Sequence, residues 1–218
     1  MKKVAVVLCG SGFKDGSEIR ESVAVLWALS QQSAVVQCFA PDAPQADVIN
    51  CLTGKPMKET QRNMLVEAAR IARGNVLPLS KMKTSDYDAL ILPGGFGAAK
   101  NLCTFAQEGI FGSVLHGLKE IIESMYRSKK AIGAVCIAPV ILAMALKDQK
   151  LELTVGESGE ASQEIEKLGH RHLVTQVTDC HIDKKNRIVT TSAYMHGKAE
   201  LRDVFTGIQK LVEEVVRL

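Results

Sequence analysis

Short runs of continuous apolar residues alternate along the chain with longer stretches in which apolar positions recur every three or four residues. Val4 to Leu8 is the first such run, of the kind that suits a strand covered on both faces. After a glycine-bearing loop, Ile19, Val23 and Leu26 fall at helical spacing and predict a helix. A second strand, AVVQCFAPD, ends at Asp42, and a turn-rich insert covers Asp47 to Gly54. Met64, Leu65, Ala68, Ile71 and Ala72 mark the next helix, Val76 to Leu79 a short strand, and Tyr87 to Leu92 a buried strand opening into Pro93-Gly94-Gly95-Phe96-Gly97. Leu115, Leu118, Ile121, Ile122 and Met125 line a further amphipathic helix. Beyond residue 146, Leu151 to Val155 reads as a strand and Ser162 to Leu168 as a short helix. Val174 to Ile182 and Arg187 to Thr191, joined by Asp183-Lys184-Lys185-Asn186, read as an antiparallel hairpin. Leu201, Val204, Phe205, Ile208, Leu211, Val212 and Val215 give the last helix its apolar stripe. This alternation predicts one α/β domain over residues 1–218, with a mostly parallel sheet and a small antiparallel hairpin.

The stretch Ala131 to Leu146, AIGAVCIAPVILAMAL, interrupts this rhythm with sixteen apolar or small residues. It falls short of the ~20 residues that cross a bilayer, and Pro139 would break a spanning helix, so no membrane partner is expected. A buried strand, Ile132 to Val135, feeding a helix with Pro139 in its first turn accounts for it better. Cys136 then sits at the strand-to-helix bend. A nucleophile there projects from the sheet edge, and the helix end behind it favours a thiolate. Cysteine in an apolar run is also ordinary core filling, so position alone leaves both readings open.

The loop Gly10-x-Gly12-x-x-x-Gly16 resembles a dinucleotide-binding turn, but Asp15 and Glu18 place two negative charges where a pyrophosphate needs a positive helix end. Asp15 to Glu18 also has capping-box spacing, which would explain Glu18 without function. A functional Glu18 requires this loop to lie beside the Cys136 bend, as doubly wound sheets allow. His170, His172, Cys180 and His181 could compose a zinc set only if the fold gathered them, and His196 could approach the site as a base. No metal and no cofactor are expected.

Composition narrows the setting. The net charge of +3 is mild and the basic residues are scattered, so nucleic acid is not an expected partner. The six cysteines lack any CxxC pair and indicate reduced thiols. The apolar run after Met1-Lys2-Lys3 is too short for a signal peptide. A cytoplasmic protein is expected, or an organellar one if a transit peptide has been removed.

DGSEI at 15–19, FAPD at 39–42, DVINCLTG at 47–54, LPGGFGAAKNL at 92–102, CIAP at 136–139 and TTSAYM at 190–195 together resemble the ElbB family, known as isoprenoid-biosynthesis or sigma-cross-reacting proteins. That family lies in the PfpI-like branch of the class I glutamine amidotransferase-like superfamily, and the resemblance runs through nearly the whole chain. It implies a flavodoxin-like three-layer sandwich and a homodimer, with Cys136 as nucleophile and Glu18 as the acid beside it. It further implies that Gly94 and Gly95 with Ile137 form the substrate and oxyanion site, through the backbone N–H groups of Gly95 and Ile137. The His-x-Glu pair of glutamine amidotransferases is missing at Thr190 to His196, so glutamine hydrolysis is not expected. Ile137 stands where many PfpI-like proteins carry histidine. The activity implied is a glutathione-independent glyoxalase that turns a small dicarbonyl, glyoxal, into glycolate, including a possible face of deglycation. The alternative is a non-enzymatic redox-sensing or partner-binding module using the same cysteine.

Overall fold

In the computed structural model, which describes residues 1–218, Lys3–Val7 forms strand β1, and Val4 to Cys9 are wholly shielded from solvent. Helix α1, Ile19–Gln31, starts later than the Asp15–Glu18 spacing suggests. Glu18 itself is the N-cap, its carboxylate accepting the Glu21 N–H at 2.6 Å. Asp15 is buried instead and accepts the Ile49 N–H at 2.8 Å, tying the insert to the first loop. The core face of α1 is Ala24, Val25, Ala28 and Leu29. Ile19 (46% exposed), Val23 (44%) and Trp27 (43%) form an outward ridge, because the helix is apolar on two sides and periodicity cannot choose between them.

Strand β2 is Val35–Ala40, and the insert carries a minute hairpin of β3, Ile49–Asn50, and β4, Lys55–Pro56. Helix α2, Met64–Ile71, is capped by Asn63, whose Oδ1 accepts the N–H groups of Leu65 and Val66 at 2.8 and 3.1 Å. β5 is Val76–Pro78 and β6 is Ala89–Leu92; a short α3, Phe105–Glu108, precedes α4, His116–Arg127, which buries Leu118, Ile121, Ile122 and Met125. Next come β7, Ala131–Val135, and α5, Pro139–Ala145, every residue of both buried. β8, Glu152–Gly156, α6, Glu160–Lys167, and β9, Arg171–Val174, follow, then β10, Cys180–Asp183, β11, Ile188–Thr191, and α7, Leu201–Arg217.

The main sheet has seven strands in the order β10-β11-β7-β6-β1-β2-β5, all parallel except β10 against β11. The hairpin therefore starts at Cys180, not Val174: Val174 ends β9, which pairs with β8 in a separate two-stranded parallel sheet. From β1 the chain steps one way to β2, and from β6 the other way to β7. Right-handed crossovers put α1 and α4 on opposite faces, and α7 returns to pack along α1. The result is a flavodoxin-like three-layer arrangement with one contiguous core. The reversal between β1 and β6 opens a crevice at the carboxyl ends of the strands.

Candidate active site

Three loops meet at that crevice, following β1, β6 and β7. Cys136 sits between the end of β7 and Pro139, the first residue of α5, with φ of +61°, a left-handed conformation that costs a non-glycine residue ~1–3 kcal/mol. Its N–H is held by the Thr191 carbonyl at 2.8 Å, so the neighbouring strand fixes the bend. The apolar run of β7 and the proline at N1 of α5 leave the chain no smoother route.

Gly94 and Gly95 pack directly against this bend. A Cβ on Gly94 would overlap the Cβ of Cys136 and Oε2 of Glu21, so the cysteine and this glutamate can meet only over a glycine. Gly95, at φ +103°, packs against the backbone of Gly16 to Glu18. The backbone N–H groups of Gly95 and Ile137 both point to the Cys136 sulfur. Those two donors could equally hold an oxyanion formed on a carbonyl carbon bonded to that sulfur.

The carboxyl group nearest the thiol belongs to Glu21, one helical turn beyond Glu18. Glu21 is fully buried; Oε1 accepts the Tyr194 N–H at 3.2 Å, while Oε2 has no nitrogen or oxygen partner and faces the Cys136 thiol. Burial, and then the charge of Glu18, push Glu21 up to about 8 against the opposing pull of the Tyr194 N–H. The thiol is also pushed well up, by burial first and the Glu21 charge second, with the Gly95 and Ile137 N–H groups acting the other way. Burial and mutual charge thus favour the protonated forms of Glu21 and Cys136, while the two N–H donors favour negative charge on the sulfur.

Glu18 caps α1 and lines the pocket above the cysteine; burial raises its carboxyl above the usual range, while the Glu21 and Arg20 N–H groups and the Arg20 charge oppose that rise. Spacing could have found Glu21: Glu18-x-x-Glu21 repeats the Asp15-x-x-Glu18 interval one turn later. His196 lies elsewhere, its Nε2 3.3 Å from the Thr175 carbonyl, and no histidine lines the pocket. His170 bridges the Leu151 N–H and the Ala143 carbonyl, His172 accepts the Val155 N–H, and His181 meets Glu152. The four residues of the conceivable zinc set are thus dispersed, and no three His, Cys, Asp or Glu residues gather as metal ligands. No helix is long and apolar enough to cross a membrane.

The chain is 42% identical over 225 residues to the rat mitochondrial ES1 protein homolog, covering 99% of this chain and 84% of that protein. It is also 42% identical to the human mitochondrial glutamine amidotransferase-like class 1 domain-containing protein 3, covering 99% and 83%. An isoprenoid biosynthesis protein with an amidotransferase-like domain from Ehrlichia chaffeensis superposes with a TM-score of 0.93 at 36% identity, over 100% of this chain and 99% of that one. The mitochondrial relatives overturn the expectation of a cytoplasmic protein. Unpaired cysteines report a reducing environment and not which compartment supplies it. The DJ-1/PfpI superfamily includes enzymes with a catalytic cysteine. The DJ-1/PfpI family model matches residues 2–201, and the chain belongs to that family.

Proposed function

We propose that this protein is an ElbB-type, glutathione-independent glyoxalase that converts glyoxal to glycolate. The observation that carries the reading is Cys136 facing the carboxyl of Glu21 beneath the N–H groups of Gly95 and Ile137. The thiol adds to one aldehyde, its proton passing through Glu21, to give a hemithioacetal whose oxygen is held by the two N–H groups. Glu21 then gives up its proton to solvent and, as the carboxylate, takes the hydrogen of the sulfur-bearing carbon as a proton; the resulting enediol is reprotonated on the adjacent carbon. One carbon is oxidised and its neighbour reduced, so no outside electron carrier takes part. Water then cleaves the thioester and frees the thiol and glycolate. Glu21 thereby takes the part that the family resemblance gives to Glu18.

The test is glycolate formation from glyoxal. Cys136→Ser is expected to fall to the buffer blank, while Glu18→Gln should retain turnover within a few-fold. Loss of turnover in Glu18→Gln with its fold intact would return the proton-transfer role to Glu18, and an inactive wild type would remove the glyoxalase reading altogether.

The homodimer implied by the resemblance belongs to the same proposal, and we assign it to the ridge of Ile19, Val23 and Trp27 on α1. Light scattering should give twice the chain mass for the wild type and a monomer for Val23→Asp; a monomeric wild type would remove this assignment.

A further inference from the structure

The pocket over Cys136 is much larger than glyoxal needs. It encloses about 700 Å³, within the range that holds a drug-sized ligand, whereas glyoxal has four heavy atoms. Much of its wall is aromatic: Phe13, Phe96, Phe105 and Tyr194. Its only charged lining groups are carboxylates, Glu18 near the cysteine and Glu160 and Glu164 from α6. No lysine, arginine or histidine lines it.

The nearby cations are otherwise engaged or placed outside. Lys167 pairs with Oε1 of Glu164 at 2.6 Å, and Arg20 donates to the Tyr194 hydroxyl at 3.2 Å. Lys100 is held by Asp47 at 2.6 Å with its ammonium 5.3 Å from the centre of the Phe96 ring, and Lys14 lies 5.5 Å from the centre of the Phe13 ring; neither lysine lines the cavity, and Phe105 and Tyr194 have no lysine over them. Glu160 forms no ion pair within the chain. An aromatic wall and unpaired carboxylate charge in one cavity attract a cation through the ring faces and through direct Coulomb interaction, and they repel an anion.

Building on the glyoxalase reading, we propose that the pocket selects an α-oxoaldehyde whose far end carries a cation, an ammonium or guanidinium group, with Glu160 and Glu164 as the specificity-determining residues. The aldehyde meets Cys136, the apolar body of the substrate lies along the phenylalanines, and the cation faces the α6 carboxylates. Glyoxal would then be a minimal substrate that uses only the reacting end.

The charge preference can be read from the thiol itself, without turnover. Cationic 2-(trimethylammonio)ethyl and anionic 2-sulfonatoethyl methanethiosulfonate react alike: the thiol sulfur bonds to the sulfenyl sulfur, methanesulfinate leaves, and the thiol proton passes to solvent. Labelling of Cys136 is followed by peptide mass, with the exposed Cys51 as internal reference. The cation-to-anion rate ratio at Cys136 should exceed that at Cys51 by on the order of tenfold at low salt, and it should drop toward the Cys51 value in Glu160→Gln and in Glu160→Gln/Glu164→Gln. The single variant leaves the Glu164–Lys167 pair in place. Equal ratios at both cysteines, or a ratio unchanged in both variants, would overturn the proposal.

A second arm compares kcat/KM for phenylglyoxal bearing a para-trimethylammonium group, no group or a para-carboxylate. The expected order is cationic, neutral, anionic, with the spread collapsing in the double variant. Equal turnover of all three would overturn the specificity assignment while leaving the glyoxalase reading in place. No turnover of any of them, with the labelling preference present, would overturn the substrate assignment through failure of the glyoxalase reading itself.

Discussion

Glu21→Gln is expected to make the protein more stable and inactive at once, with the stability gain growing as pH rises. In the folded chain Glu21 holds its proton up to about pH 8, whereas an unfolded glutamate releases it near 4.5. Between those values the folded state binds the extra proton, so unfolding is favoured as pH rises and the parent protein loses stability across that window. Below 4.5 both states are protonated and the group contributes no pH dependence; above about 8 both are ionised and the loss is complete. Glutamine never ionises and keeps an oxygen for the Tyr194 N–H. The variant should therefore gain on the parent by roughly 1.4 kcal/mol per pH unit, reaching on the order of 4 kcal/mol near pH 8. Turnover of glyoxal should fall by about 10²–10⁴-fold or more, the usual contribution of a positioned acid–base group. Urea unfolding of both proteins from pH 5 to pH 8 measures the first effect. A stability difference that stays flat over that range would mean that Glu21 is ionised throughout, and the mechanism would lose its proton donor.

That residue also shows where sequence reasoning stops. The bend at Cys136 was legible, because a continuous apolar run followed by a proline three residues on has few other solutions, and the structure places β7 and α5 within a residue of those limits. The glycines after β6 were legible for a similar reason: only a residue without a Cβ lets that turn lie against the cysteine bend and the backbone of the first loop. Glu21 was not, because the resemblance points to Glu18 as the acid, and nothing in the helical period starting at Ile19 says that Glu18 caps the helix while Glu21, three residues on, is the buried acid. Three residues are nearly one helical turn, so either glutamate points to the same side of the helix. Only tertiary contact, through Tyr194 and Gly94, separates the two. The outward ridge of Ile19, Val23 and Trp27 escaped for a related reason, since an apolar period gives a face but not its partner. The hairpin start was misplaced because Val174 belongs to an apolar run that continues no further in space, and β9 leaves for a second sheet.

Gly94→Ala should be the single-methyl change that most directly drives Cys136 and Glu21 apart. The added Cβ would clash with the Cβ of Cys136, crowd Oε2 of Glu21 and lie 2.8 Å from the Val135 carbonyl oxygen. None of the three can yield cheaply. Val135 is paired in the sheet, Cys136 is held by the Thr191 carbonyl, and Glu21 is anchored by Tyr194. Overpacking of this kind costs about 1–3 kcal/mol, and a displacement of about 1 Å between thiol and carboxyl is enough to reduce turnover ~100-fold. Gly117→Ala provides the opposite case on the same scaffold. Gly117 lies in the first turn of α4 with nothing near its absent Cβ, so alanine should be neutral or stabilising by up to ~1 kcal/mol, with unchanged turnover. Thermal unfolding and glycolate formation, measured on both variants, separate a general intolerance of glycine replacement from a clash at one point. If Gly94→Ala folded with its melting temperature and turnover intact, the close approach of Cys136 and Glu21 over that glycine would be wrong, and with it the geometric basis for a shared proton.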